Sequence, residues 1–268
     1  MKIKHLQLNI GLSEDFNYLL KFLNEQDIDI ACIQELGYKI GEEPELKKLV
    51  ENAGYYFVEA KHFDYYPKGI STAVAIISKW KIVDFAVDYY NSENYYPKII
   101  QAEDLMGEVI NDSNSKDRKR YPGSRGIKHA LKSRAILTVL VDTGSGLVRI
   151  ITAHYPVSDL CTETEKMYEM SMLINSKVNF AKSYPTILSG DLNIRAQSYS
   201  VEKLEEVLTC HTKDLKDTLS KTHKAKEKDF PEGLAVDHVF SKDLKHTSTE
   251  AFEINFSEHK AIVSKFEL

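Results

Sequence analysis

The chain has 268 residues, 43% hydrophobic and 28% charged, enough to bury a substantial core, and a single domain over residues 1–268 is expected. Its net charge of −5 argues against the global basic field of a nucleic-acid coat protein, while leaving room for a local positive track. Three scattered cysteines (Cys32, Cys161 and Cys210) suggest neither a zinc site nor a disulfide framework. No apolar run reaches the roughly 20 residues of a membrane span. Met1 to Lys4 runs straight into a strand pattern with no room for a signal peptide, so a cytoplasmic protein without a membrane span is expected.

Ile3, His5, Leu6 and Leu8 read as a first strand ending at Asn9. Ser13 is placed to cap a helix with apolar positions Phe16, Leu19, Leu20 and Leu23, and Glu14 and Asp15 suit its positive end. Asp27 to Ile33 reads as a second strand running into Gln34-Glu35. A carboxylate directly after a buried run must be solvated, paired or bound to a cation, and Glu35 could be any of these. A second helix is expected from Pro44 to Ala53, with Gly54 as its stop. Tyr55 to Val58 and Thr72 to Ile77 are further strands. The tyrosine patches around them (Tyr65-Tyr66, Tyr89-Tyr90, Tyr95-Tyr96) either stack on bases or cover the sheet.

Lys116, Arg118, Lys119, Arg120, Arg125, Lys128 and Lys132 form the one local positive stripe, which could track a phosphate backbone or be a solvated loop. Arg134 ends it at the mouth of a strand over residues 135–141, a better placement for binding a substrate anion. After a turn at 143–146, residues 147–153 form a strand ending in His154. Thr162 and Glu165 match a capping box opening a helix to about Lys182. Residues 186–188 are then a short buried strand broken by Ser189-Gly190, followed by Asp191-Leu192-Asn193. The glycine would let a ligand approach the backbone, although Gly, Asp and Asn also make ordinary turns. Ser200 is expected to cap a short helix to Leu208, and His211 and His223 are expected to be exposed. Asp237 lies inside a late strand, where a carboxylate needs a partner, and Glu258-His259 precedes the closing strand from Ala261.

Carboxylates, amides and histidines thus collect at strand ends. Carboxylate oxygens suit a hard divalent cation, and two histidines with Arg134 suit proton transfer and charge neutralisation at a phosphate ester. In this order, Leu8-Asn9, Gln34-Glu35, Thr152-Ala153-His154, Ser189-Gly190-Asp191-Leu192-Asn193, Val236-Asp237-His238 and Ser257-Glu258-His259 resemble the endonuclease/exonuclease/phosphatase superfamily, of deoxyribonuclease I fold. The resemblance runs from Asn9 to His259 and implies an α/β fold: a four-layer sandwich, two mixed β-sheets packed face to face with helices outside. It implies that Glu35 with Asn9, and Glu258, bind Mg²⁺ or Mn²⁺, and that Asp191 orients or deprotonates the attacking water. Asn193 and His154 would hold phosphate oxygens, and Asp237 would orient His259 for proton transfer or charge stabilisation. Glu258 departs from the family's Asp by one methylene, which leaves open a weakly active or non-catalytic phosphate-binding module. The leading expectation is a monomeric, metal-dependent phosphodiesterase acting on nucleic acid. The alternative is an enzyme for a small phosphorylated or lipid-headgroup substrate.

Overall fold

A computed structural model describes residues 1–65, 68–90, 99–100, 134–157, 163–180, 183–223 and 229–268. Its elements in chain order are β1 (Lys2–Asn9), α1 (Phe16–Glu25), β2 (Ile30–Lys39), α2 (Glu45–Asn52), β3 (Tyr56–Tyr65), β4 (Ile70–Ser78), β5 (Lys81–Tyr90), β6 (Ile99–Ile100) and β7 (Arg134–Asp142). There follow β8 (Leu147–His154), α3 (Glu165–Phe180), β9 (Thr186–Asp191), α4 (Tyr199–Glu205), β10 (Thr209–Cys210), β11 (Asp237–Lys242), β12 (Lys245–Phe252) and β13 (Ala261–Glu267). Residues 101–133, which hold the basic stripe before Arg134, lie outside the described residues, as do Tyr66, Tyr95 and Tyr96.

The strands form a seven-stranded sheet, β12-β13-β1-β2-β4-β3-β6, and a six-stranded sheet, β10-β11-β9-β8-β7-β5. Both are mixed. β1 runs parallel to β2 and β8 parallel to β9, and each pair is bridged by a helix, because parallel neighbours need a crossover. Central strands are buried on both faces, which explains their near-continuous apolar runs. Leu6, Leu8, Ala31, Ile33 and Ile77 pack with Leu19, Leu23, Leu46 and Val50 of α1 and α2. The alternate residues Ile3, Ile30, Cys32 and Ile76 meet Leu137, Val139, Ile150 and Val239 across the gap between the sheets. On the far side, Ile136, Ile151 and Leu188 pack against Met170 and Ile174 of α3 and Val201 and Leu204 of α4. The result is the expected four-layer sandwich, helices outside and two sheets face to face.

The ends of elements differ from the sequence reading. Asp15, not Ser13, occupies the N-cap of α1, and Ser13 Oγ instead accepts the Asp15 N–H. The short helix α4 is capped by Ser198, whose side chain accepts from Val201 N, while Ser200 lies inside it. Thr162 lies outside the described residues, and Thr164 Oγ1 accepts from Met167 N at 3.4 Å at the start of α3. Ser198→Ala removes one cap acceptor and is expected to cost about 1 kcal/mol, read as a small drop in the melting temperature with activity retained.

Alternation along β1 also turns His5, Gln7 and Asn9, all buried, toward the inter-sheet gap. There Gln7 Nε2 donates to Gln34 Oε1, Gln34 Nε2 donates to Thr152 Oγ1 at 2.9 Å, and Asn9 Nδ2 donates to Asp191 Oδ2 at 2.9 Å. A line of polar contacts therefore runs between the sheets to one of their edges.

Candidate active site

β8 and β9 lie side by side in parallel, with His154 level with Asp191, and β11 pairs antiparallel on the other side of β9 with Asp237 opposite Asp191. Three side chains from three strands are thus brought to one end of the six-stranded sheet. β1 and β2 supply Asn9 and Glu35 from the other sheet. Glu35 sits in the β-bulge of β2, where pairing with β4 jumps between Ile33 and Leu36, and has φ +53°. Left-handed backbone at a residue other than Gly or Asn is costly, and a bulge re-aims the side chain out of the alternation. Asn193, also left-handed at φ +52°, turns the chain just after β9.

Gly190 has a different role from the one expected. A Cβ there would lie 2.0 Å from the carbonyl oxygen of Ala153 on β8, so the glycine admits the neighbouring strand, not a ligand.

Asp191 is the centre of the site. It is 2% exposed, its Oδ1 accepts the Asn193 N–H at 3.0 Å, and its Oδ2 lies 3.7 Å from His154 Nε2 and 3.8 Å from His259 Nε2. Burial, followed by the charge of Asp237, raises its pKa to about 7, against the opposing pull of His259 and the Asn9 hydrogen bond. Asp237, fully buried, answers its need for a partner with His259, whose Nδ1 lies 2.9 Å from Asp237 Oδ2, and with Gln7 Nε2, which donates to Oδ1 at 3.3 Å. Burial alone would lower the His259 pKa. The charge and hydrogen bond of Asp237, then the charges of Asp191 and Glu35, outweigh it and raise the pKa to about 10. His259 is further fixed by its backbone N–H, which donates to Ser257 Oγ at 2.9 Å, while that hydroxyl donates to the Asn9 carbonyl at 2.5 Å.

His154 faces Glu35 Oε1 at 3.8 Å as well as Asp191. Asn193 Nδ2 donates to the Tyr155 carbonyl at 3.1 Å, holding the loop after β9 beside His154. Arg134 is 4% exposed and its Nε has no hydrogen-bond partner among the described residues. Burial lowers its pKa to about 10, opposed by the charges of Glu35 and Asp191, so the guanidinium remains charged at neutral pH. Glu258 is exposed, and its backbone carbonyl accepts the Ser220 N–H at 2.8 Å.

Sequence reading did not mark three residues near this centre. Gln7 could have been found, since it alternates with His5 and Asn9 on one face of β1. His223 was expected to be exposed, but it is half-buried with its ring 5.6 Å from that of His259. His62 carries no sequence signal beyond a lone histidine in a strand. His211, also expected to be exposed, is half-buried and stacked on His246 at 4.0 Å, remote from the chemistry described above.

Carboxylate oxygens are hard donors, and Asp191, Asp237 and His259 can each bring one ligand atom within 4.8 Å of the others. Asp237 and His259 are already engaged with one another, while Glu35 and Asp191 both approach His154 Nε2, at 3.8 and 3.7 Å. A buried carboxylate with its pKa raised to about 7 is what a divalent cation would relieve, so the donor set fits a hard metal ion.

Clustered carboxylates, an Asp–His pair and a buried arginine whose Nε has no partner among the described residues, all at one edge of a two-sheet sandwich, suit phosphoester hydrolysis. Residues 6–258 match the model of the Endonuclease/Exonuclease/phosphatase family, and the chain belongs to that family of phosphoester hydrolases. No curated protein matches the sequence significantly. Among solved structures, the chain is similar to an endonuclease/exonuclease/phosphatase family protein from Leptotrichia buccalis, at 18% identity and TM-score 0.70, covering 99% of this chain and 100% of that one. It is also similar to D. rerio TDP2 complexed with single strand DNA product, at 13% identity and TM-score 0.66, covering 100% and 99%. A third is the mannosyl-6-phosphatase of Bacteroides thetaiotaomicron, at 14% identity and TM-score 0.66, covering 99% and 100%. At these identities the likeness is one of fold. Among the described residues, no helix is long and apolar enough to cross a membrane.

Proposed function

We propose that this protein is a divalent-metal-dependent phosphodiesterase that hydrolyses phosphoester bonds in nucleic acid, acting as a monomer of one domain. The observation that carries the reading is the placement of buried Asp191 between His154 and the Asp237–His259 pair, with Glu35 at the mouth. The positive stripe over residues 116–132 and the single strand DNA bound to D. rerio TDP2 support the choice of a polyanionic substrate.

Glu35, with Asn9 and Asp191 beside it, would hold Mg²⁺ or Mn²⁺. When bound, the ion would neutralise charge on the phosphoryl group as phosphorus becomes five-coordinate. Asp191 Oδ2, placed between His154 Nε2 and His259 Nε2, orients the attacking water and takes its proton. His259, oriented through Nδ1 by Asp237, presents a protonated Nε2 to the charge that develops on the phosphoryl group. Asn193, His154 and Arg134 hold the phosphate oxygens, and Arg134 does so with a guanidinium whose Nε has no partner among the described residues. Glu258 is exposed, and its charge acts on His223.

A second reading, a phosphatase for a small phosphorylated substrate, is favoured by the depth of Arg134 and by the likeness to a mannosyl-6-phosphatase. Incubation with supercoiled plasmid separates the two. Nicking is expected with Mg²⁺, with loss of activity in EDTA and recovery when Mg²⁺ is restored in excess. Intact plasmid together with metal-dependent release of phosphate from a sugar phosphate would replace the nuclease with the phosphatase.

A further inference from the structure

β3 carries a bulge at which its pairing with β4 jumps from Lys61 to Phe63, and His62 is the residue left between. As with Glu35 on β2, the bulge takes the side chain out of the regular alternation and turns it into the gap between the sheets. His62 is 1% exposed. Its Nδ1 accepts the backbone N–H of Ala135 at 2.8 Å, so in the neutral ring the proton belongs to Nε2. Burial, and secondarily the charge of Arg134, holds the imidazole neutral by lowering its pKa far below the ordinary value.

The Nε2–H is therefore a donor, it is buried, and among the described residues it has no hydrogen-bond partner. Buried donors are rarely left so, because burial has stripped away the water that would otherwise accept from them. His238 shows the ordinary solution: equally buried, it engages Thr212 Oγ1 through Nδ1 at 3.0 Å and the Ile194 carbonyl through Nε2 at 2.8 Å. The orphaned donor of His62 lies beside a second one. Arg134 Nε, one residue before the Ala135 amide that fixes the His62 ring, is also buried and, among the described residues, without a hydrogen-bond partner. The third neighbour is His154, whose ring meets that of His62 edge-on with centroids 6.0 Å apart. Two unmet donors, one of them cationic, together require an acceptor that carries negative charge.

We propose that His62 is a phosphate-binding residue of the active site, its Nε2–H donating with Arg134 to a non-bridging oxygen of the substrate's phosphoryl group. The assignment rests on the phosphoester reading of the site and adds to it a binding residue contributed by the second sheet. Such a donor acts on the phosphoryl group itself, so it serves a diester or a monoester alike, and its loss should appear in phosphate affinity and KM before kcat.

Two substitutions separate binding from a purely structural role. His62→Asn keeps an acceptor near Nδ1 for the Ala135 amide and removes the outer donor. His62→Gln keeps a donor near Nε2 and loses the inner acceptor. Binding of inorganic phosphate is measured by calorimetry on the metal-free protein, with melting curves to verify folding and KM measured on any phosphoester that is turned over. The expected result is phosphate binding by the wild type, weakened about ten- to a hundredfold in His62→Asn and largely restored in His62→Gln. A structural role would reverse the order, with His62→Asn near wild type and His62→Gln impaired. That order, equal affinity in all three proteins, or no phosphate binding by the wild type overturns the proposal. Wild-type turnover of a phosphoester with KM and phosphate affinity indifferent to His62 would sink this assignment and leave the phosphoesterase reading standing. Phosphate binding that depends on His62 in a protein that hydrolyses no phosphoester would do the opposite.

Discussion

Asp191→Asn is expected to lower hydrolysis at least about a hundredfold while the protein stays folded, because a positioned general base contributes roughly that much or more. The substitution keeps the shape and removes the charge that lies between His154 and His259. Stability and activity should separate. The amide introduces a donor opposite Asn9 Nδ2, but it also ends the repulsion between two buried carboxylates facing each other on β9 and β11. The pH dependence provides a check with a definite sign. A carboxyl raised to about 7 in the folded protein binds more protons there than in the unfolded chain, so its contribution to stability is full below its unfolded value and is lost as pH rises through 7. In EDTA, the wild type should therefore be most stable relative to Asp191→Asn near pH 4 and least stable above pH 7. A gap that widens in the wild type's favour with rising pH would show that Asp191 is held as a stabilised anion, contrary to its surroundings.

Among the described glycines, Gly190→Ala should be the most damaging substitution. The new Cβ would meet the Ala153 carbonyl oxygen at 2.0 Å, backbone against backbone, with no flexible side chain to give way. β8 and β9 must separate locally, and they carry His154 and Asp191 at their paired ends. A cost of about 4 kcal/mol is expected, in the range of severe core disruptions. At about 2–4 °C per kcal/mol this lowers the melting temperature by roughly 10 °C. Gly37→Ala is the internal comparison. There the nearest atom is Leu12 Cδ2 at 3.1 Å, the end of a side chain that can turn, so the loss should be small. Equal melting temperatures for the two variants would overturn the strand-spacing role of Gly190. The Gly-Asp-x-Asn stretch thus combines two requirements: the glycine lets β8 and β9 pack closely, and the Asp and Asn after it turn into the candidate site.

Much of the architecture was legible because central strands announce themselves. Residues 135–141 and 147–153 are apolar on both faces, and the observed β7 and β8 extend those limits by only one residue at some ends. β5 and β12 escaped notice for the opposite reason. They are the exposed and half-buried edge strands of their sheets, and Phe85 on β5 is 58% exposed, so no buried face imposes a period on them. Helix caps were misplaced by a few residues, at Ser13 and Ser200, because several neighbouring polar side chains offer the same acceptor and only the backbone path chooses among them.

The sequence by itself determined which chemistry this protein carries. Polar and acidic residues at the ends of buried apolar runs are costly unless they are used, and Asn9, Glu35, His154, Asp191, Asn193 and Asp237 are recognisable one strand at a time. What each of them faces was decided by the tertiary structure alone. Asp237 meets His259 because β11 packs beside β9 and the closing loop returns over both, and Glu35 points into the site because a bulge reverses the backbone at φ +53°. His62, a lone histidine in the mixed polar and apolar strand β3, becomes a donor beside Arg134 only when the two sheets stack. The physical reason is the range of the forces: burial period acts between near neighbours in the chain, whereas hydrogen bonds and charge act between strands that the chain brings together from far apart.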